Sequence, residues 1–509
     1  MIRLAGTGLA PTDVVAVARR DAGVQLSGQA RQAMAESAKI VEQLAAAPEP
    51  AYGVSTGFGS LATTPIPAEQ REQLQRALIR SHAAGLGEPV EREVVRAMVL
   101  LRARSLAMGY SGARPEVAEA MLRLLNAGIT PVVPEHGSLG ASGDLAPLAH
   151  CALVLIGEGE VDDDGARRPA AEALAEADIE PLTLRAKEGL ALINGTDGIL
   201  GMLLLAAWDL RSLLRVADVT AAMSVEALLG TDRAFAEDLI ALRPQPGQAE
   251  SAANLRRLLD GSPIVASHRE NDPRVQDAYS LRCAPQVNGA ARDALAHADR
   301  VADAELRSAI DNPMILPDGR VESCGNFHGA PLGLACDLLA MAIADGGAIS
   351  ERRTDRLLDA SRSEGLPPFL AEDPGVNSGL MIAQYTQAAM VAENRRLAVP
   401  AGVDSLPTSA MQEDHVSMGW GAARKLRVAL DNLRRILAVE GVCAARALDL
   451  RAPLRPGAGT GAALAAIRSA GIPGPGEDRH LAPELEAAER LIATGEFAEA
   501  VEGAIGELR

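Results

Sequence analysis

Ala141-Ser142-Gly143 sits in the run Gly137-Ser138-Leu139-Gly140-Ala141-Ser142-Gly143-Asp144-Leu145-Ala146-Pro147, where reactive and conformationally permissive residues fall side by side. Ser142 carries a β-hydroxyl that can depart and leave an exocyclic methylene. Gly143 lacks a Cβ and reaches backbone dihedrals closed to other residues. Ala141 is small enough for a compressed turn, and Gly137 and Gly140 let the loop bend; stored backbone strain is typical of functional sites. Taken alone, the tripeptide also reads as a glycine-rich turn before a helix, with Asp144 favoured by the helix dipole.

Six further blocks carry side chains with chemical potential. Tyr52 is presented by Tyr52-Gly53-Val54-Ser55-Thr56-Gly57-Phe58-Gly59; with an ordinary pKa of about 10 it must be tuned to act as a base near neutrality. His82 closes an apolar helical stretch in Ser81-His82-Ala83-Ala84-Gly85. Asn194, in Leu192-Ile193-Asn194-Gly195-Thr196-Asp197, reads either as a ligand-holding amide or as a helix N-cap. In Val275 to Arg282, Gln276, Tyr279 and Arg282 recur at three-residue steps, one side of a helix or helical turn. Arg282 suits a bidentate clamp on a carboxylate, against the plainer reading of a salt-bridging surface face. Asp311-Asn312-Pro313 precedes Gly325-Asn326-Phe327-His328-Gly329, where Phe327 lines a pocket or packs in a core. Gln412-Glu413-Asp414-His415 offers Glu413 as a hydrogen-bonding or ionic partner for an imidazole N–H. As metal ligands its neighbouring residues would diverge on a helix, with no second acid/His pair to help, so no metal is expected.

Together these blocks resemble the aromatic amino-acid ammonia-lyases, the histidine, phenylalanine and tyrosine ammonia-lyase family, and the resemblance extends from about residue 51 to 420. It implies that the Gly143 nitrogen attacks the Ala141 carbonyl carbon, so that Ala141, Ser142 and Gly143 become a 5-methylidene-imidazol-4-one. It further implies that Tyr52 takes the substrate β-proton, that Tyr279 assists transfer at the amine, and that Arg282 binds the α-carboxylate. Asn194, Gln276 and Phe327 would complete the pocket. Ser81-His82 and Glu413 are similar to the histidine-specific branch, with His82 and Glu413 at the imidazole; phenylalanine and tyrosine relatives tend to carry Phe-Leu or His-Leu in place of Ser-His, and lack the acid. The resemblance thus implies conversion of L-histidine to trans-urocanate and ammonia, the first step of histidine degradation. Phenylalanine or tyrosine ammonia-lyase, a 2,3-aminomutase and a silent scaffold are the alternatives. A homotetramer with shared active sites is implied as well. Ser55, Asp197, Cys324 and Met411 depart from common family wording, and Cys324 and Met411 flank pocket positions.

The elements that must hold these residues follow from composition and periodicity. The chain has 509 residues, 48% hydrophobic but only 2% aromatic, so its core rests on Ala, Leu, Val and Ile in close-packed helices. Apolar steps of three and four residues predict helices over 67–80, 89–108, 114–126, 145–156, 194–229, 288–309, 331–361, 377–397 and 419–448, the first two starting on prolines. Several exceed ordinary length, which predicts a mainly α fold: a long antiparallel central bundle, with a smaller mixed N-terminal domain (1–112) carrying the Tyr52 loop and a helical domain (113–509) carrying Ala141-Ser142-Gly143. Residues 162–173 read as a surface hairpin or loop, and Gly457-Ala458-Gly459-Thr460-Gly461 as a turn before a helix, since it lacks phosphate-loop spacing and a Walker lysine.

A net charge of -18 argues against nucleic acid or anionic membrane as partner. Five scattered cysteines, none in a CxxC pair, read as reduced thiols of a cytoplasmic protein, and no signal-peptide pattern opens the chain. The apolar segment 201–230 carries Asp209, Arg211, Arg215, Asp218 and Glu226, which favours a buried helix over a membrane span. Three lysines, Lys39, Lys187 and Lys425, leave little room for pyridoxal phosphate.

Overall fold

The computed structural model describes residues 1–47, 55–56, 64–163, 165–270 and 272–509. The chain is mainly α, and its strands are at most four residues long among the described residues. Helices occupy Arg71–His82, Arg92–Ala107, Pro115–Asn126, Leu145–Leu155, Asp197–Ala227, Ala284–Glu305, Ala330–Leu358, Met381–Leu397 and Gly419–Leu450, close to the expected spans. Residues 160–169 form the expected hairpin, Glu160–Asp163 against Ala166–Pro169. Gly457 caps the Ala458–Ser469 helix, so the following glycines lie inside that helix.

Both helix starts expected on a proline differ from that expectation. Pro89 ends a strand, Leu86–Pro89, paired antiparallel with Pro134–His136. The Val90 N–H then donates to the Val133 carbonyl at 2.9 Å, so the chain stays extended until the helix opens at Arg92. Pro67 likewise stands outside its helix, ahead of a 3-10 turn over Ala68–Gln70. A proline at a first turn is permitted by its missing N–H, but local pairing decides where that turn begins.

Contacts divide the chain into two compact units: residues 1–205, 298–337 and 400–424, and residues 206–297, 338–399 and 425–509. In the first, three helices pack against one another in every pairing, Arg71–His82, Leu145–Leu155 and the short Glu188–Ile193. Their ends carry His82, the Ala141-Ser142-Gly143 loop and Asn194. The Arg92–Ala107 helix is buried from Val94 to Ala107 and includes Arg96, Arg102 and Arg104. Arg102 donates to the carbonyls of Asn194 and Ile310, each at 2.8 Å, and to Asp197 Oδ2 at 3.1 Å. A buried guanidinium is tolerated only with such partners.

In the second unit, the fully buried Glu440 accepts from Thr220 Oγ1 (2.9 Å), Ser224 Oγ (2.8 Å), Ser350 Oγ (2.6 Å) and the Arg353 guanidinium. One carboxylate thereby ties together three long helices whose apolar faces alone would leave their register loose. The helix Glu188–Ala227 region and Ala330–Leu358 are long and apolar enough to cross a membrane; the apolar window of the former is wholly buried inside the protein and that of the latter 56% buried.

Candidate active site

The Ala141-Ser142-Gly143 loop is a tight turn. Gly140 and Gly143 pair across it, and the Gly143 N–H faces the Gly140 carbonyl at 3.4 Å. Gly140, Ser142 and Gly143 have φ of 75°, 51° and 79°, a left-handed conformation that costs a side-chain-bearing residue about 1–2 kcal/mol. Three segments hold the turn in this shape. The Asp144 N–H donates to the Gly195 carbonyl at 2.6 Å, and the Met418 N–H to the Leu139 carbonyl at 2.9 Å. Ser138 Oγ bonds the Asp144 carboxylate at 3.2 Å and receives the Gly140 N–H at 3.2 Å. Neighbours press so closely that a Cβ on Gly140 would lie 2.0 Å from Ser417 Oγ, and one on Gly137 3.1 Å from the Gly85 Cα.

Asp144 departs from the simple picture of an acid beside its own helix. It stands at the cap of Leu145–Leu155 without bonding that helix through its side chain. Its Oδ2 instead accepts the N–H groups of Gly198 (2.9 Å) and Ile199 (3.0 Å), the first turn of Asp197–Ala227. Burial pushes its carboxyl up to about 7, against the pull of those N–H groups and Ser138. The same first turn is covered by Trp420, whose indole N–H donates to the Glu135 carbonyl at 2.7 Å.

Asn194 is not an N-cap. It ends the Glu188–Ile193 helix, and its side chain donates to Asp311 Oδ1 (3.0 Å) and to the Asn312 carbonyl (2.8 Å). Its Oδ1 is buried with no hydrogen-bond partner. His82 is the last residue of Arg71–His82. Its Nδ1 faces the Leu78 carbonyl at 2.9 Å, and burial lowers its pKa. A carbonyl only accepts, so Nδ1 carries the proton and Nε2 is left as an acceptor.

Phe327 is half-buried just before Ala330–Leu358; two residues on, Gly329 sits so that a Cβ would come within 3.1 Å of Ser417 Oγ and 3.5 Å of Thr196 Cγ2. Glu413 lies on a non-helical segment, where it exchanges backbone hydrogen bonds with Thr408 at 2.9 and 3.3 Å. This segment lies between the expected helices 377–397 and 419–448, and Ala410 in it takes a left-handed conformation, φ 53°. Glu413 Oε2 is buried without a partner, and burial raises the carboxyl pKa. His415, two residues after Glu413, stacks its imidazole on that of His328, with centroids 5.8 Å apart and rings 3° from parallel.

Gln276, Tyr279 and Arg282 belong to the second unit, around a pocket of about 420 Å³ that also holds Arg356 and Arg362. Only Tyr279–Arg282 is helical. Gln276 precedes the helix, because Asp277 is drawn off to the Thr231 N–H at 2.7 Å and Ala278 is extended. The Arg282 guanidinium lies over the Tyr279 ring, 4.7 Å from its centre, a cation–π contact. Tyr52 lies outside the described residues. Lys187, Ser417 and Trp420 were not singled out as site residues by the sequence; Ser417 lies in the block that runs from Gln412 to Gly419, and Trp420 follows it as one of the chain's few aromatic residues.

The described geometry fits a group made from Ala141, Ser142 and Gly143. A Cβ on Gly143 would lie 2.1 Å from the Gly195 carbonyl oxygen, so only glycine lets the two loops meet there, and an unfilled amide oxygen, Asn194 Oδ1, stands next in sequence to that carbonyl.

A family model described as aromatic amino acid lyase matches residues 9–469. The chain is 61% identical to the histidine ammonia-lyase of Streptomyces avermitilis, across 99% of this chain and 98% of that protein. Its structure is similar to the histidine ammonia-lyase of Trypanosoma cruzi (TM-score 0.91, 39% identity, 99% and 96% of the chains). It is equally similar in fold to a tyrosine aminomutase of Streptomyces globisporus (TM-score 0.94, 38% identity, 100% of both chains).

Proposed function

Because the chain belongs to the aromatic amino acid lyase family, we propose that it is a carbon-nitrogen lyase that removes ammonia from L-histidine to give trans-urocanate. The observation that carries the reading is the left-handed Gly140–Gly143 turn, locked by Gly195 and Ser417. Backbone shape alone is shared with an aminomutase, so the choice of histidine rests on sequence identity and on His82 and Glu413.

A 5-methylidene-imidazol-4-one built from Ala141, Ser142 and Gly143 supplies an electrophile that makes the α-amine a leaving group. Residues drawn from more than one subunit bind and orient the substrate around it. Arg282 pairs with the α-carboxylate, a charge-assisted contact that fixes the Cα–Cβ bond. His82, kept neutral by burial, offers Nε2 to one imidazole N–H. Glu413 Oε2, an unfilled buried acceptor, takes the other side of the ring. Asn194 Oδ1 accepts an N–H of the amine. Tyr52 removes the β-proton, and Tyr279 with Gln276 serves proton transfer at the amine, with the Arg282 guanidinium held over the Tyr279 ring. The protein acts as a cytoplasmic homotetramer with active sites shared between subunits, a reading supported by the 71% exposure of Tyr279 in the single chain.

The test is an ultraviolet assay of the purified protein with L-histidine, L-phenylalanine and L-tyrosine in parallel. Urocanate from histidine alone supports the reading. Cinnamate or coumarate keeps the chemistry and overturns the substrate. An intact mass two waters below the sequence value checks the cyclised tripeptide.

A further inference from the structure

Of three lysines in the chain, only Lys187 is fully buried. It takes a left-handed conformation, φ 67° and ψ −17°, at the start of Glu188–Ile193, where no glycine relieves the strain. Its Nζ donates to Asp311 Oδ2 at 2.8 Å, and both side chains are wholly shielded from solvent. The other oxygen, Asp311 Oδ1, accepts the Asn194 amide at 3.0 Å and the Asn312 backbone N–H at 2.7 Å. The second N–H of the Asn194 amide goes to the Asn312 carbonyl at 2.8 Å.

That arrangement fixes which end of the amide faces where. Turned over, Asn194 would set its oxygen against a carboxylate and a carbonyl, two acceptors with no proton between them. Its Oδ1 is therefore the end left over, and it is buried and unpartnered. With Lys187 on Oδ2, Asp311 turns its Oδ1 toward Asn194 as an acceptor, and a buried carboxylate needs such a paired cation. A compact ammonium meets one oxygen and leaves the other for Asn194; a guanidinium, which tends to take both oxygens of a carboxylate, would compete for it. This explains a lysine in a chain that otherwise uses arginine nearly throughout.

We propose that the buried Lys187–Asp311 pair is a positioning device for the reaction: it orients the Asn194 amide so that its oxygen stands as an unfilled acceptor for a substrate N–H beside the Ala141-Ser142-Gly143 turn. The proposal rests on the lyase reading above. Neither residue touches substrate; both act through Asn194.

The experiment is a double-mutant cycle. The pair is replaced by apolar side chains of similar volume, Lys187→Met with Asp311→Leu, in the parent and in an Asn194→Ala background. Intact mass, melting temperature, kcat and KM for L-histidine are read, together with a crystal structure of the pair-replaced protein. Removing both charges together avoids stranding one of them. The expected result is a folded protein that has lost two waters, with kcat down about 100-fold and KM within about threefold. In the Asn194→Ala background the same replacement costs less than about threefold more, because the two changes act through one group. Independent, multiplying losses overturn the proposal, as does an unchanged kcat. A protein that keeps both waters also overturns it, since the pair would then serve cyclisation. Should the replaced chain not fold, Asp311→Glu, which keeps the charge and displaces its oxygen, enters the same cycle under the same criteria. If the parent deaminates none of the three amino acids, the functional reading fails separately, and the crystal structure decides. An Asn194 amide turned away from the Asn312 carbonyl supports positioning; an unmoved amide overturns it.

Discussion

Gly143 and Gly195 meet backbone to backbone: a Cβ on Gly143 would lie 2.1 Å from the Gly195 carbonyl oxygen and 2.4 Å from its carbon. Neither atom is the tip of a flexible side chain, and the same carbonyl receives the Asp144 N–H. The two loops are therefore fitted to each other through main-chain atoms, and only glycine satisfies both the contact and φ 79°.

Gly143→Ala is expected to push the two loops apart, abolish cyclisation and lower the melting temperature. The left-handed backbone alone costs about 1–2 kcal/mol, and the contact adds to it. Intact mass and a thermal melt check both effects; a variant that has lost two waters and melts as the parent does would show that the loops can part.

Ser142→Ala keeps the turn but removes the hydroxyl that must leave. The expected outcome is no loss of water in the intact mass, activity down by at least about 1,000-fold, and a melting temperature within a few degrees of the parent. Full activity in this variant would sink the proposed chemistry.

Asp144 gives the chain a pH signature. Its carboxyl titrates near 3.8 unperturbed and at about 7 when folded. Between those values the folded state holds a proton that the unfolded state has released, so this group's contribution to stability falls as pH rises, by about 4 kcal/mol over the whole window. Asp144→Asn should flatten that slope and gain on the parent above pH 7. Thermal melts of both proteins at pH 5 and pH 8 test it; parallel shifts would mean that the carboxylate is ionised throughout.

Glu413→Gln should cut kcat/KM for L-histidine by about 10- to 100-fold, while any slow turnover of phenylalanine changes less than about threefold. Burial raises this carboxyl above the ordinary carboxylate range. As pH falls, activity on histidine is therefore lost earlier than a solvated glutamate would dictate, and that acid limb should flatten in the variant. Equal losses on both substrates would remove the imidazole role.

The fold class was legible from composition and periodicity. Ala141-Ser142-Gly143 taken alone reads equally as a glycine-rich turn, and it gains a chemical reading only beside the other blocks that resemble the family. His82 and Asn194 were visible as polar residues ending apolar runs, and the long helices as three- and four-residue periodicity. Helix starts were less legible: Pro89 is compatible with either a helix or a strand, and the pairing with Pro134–His136 chose the strand. Between the helices expected at 377–397 and 419–448, Ala410 takes a left-handed conformation that its residue type does not advertise.

The sequence by itself determined the helical class, through composition and three- and four-residue periodicity, and it placed Ala141-Ser142-Gly143, His82 and Glu413 in blocks that resemble the lyase family. Tertiary structure alone decided what surrounds them. Asp144 serves the helix that begins more than fifty residues later rather than its own. Asn194 donates to Asp311, 117 residues further along the chain, and Asp311 in turn pairs with Lys187. A buried hydrogen bond or ion pair joins whichever residues folding brings within about 3 Å, and no local pattern records that distance.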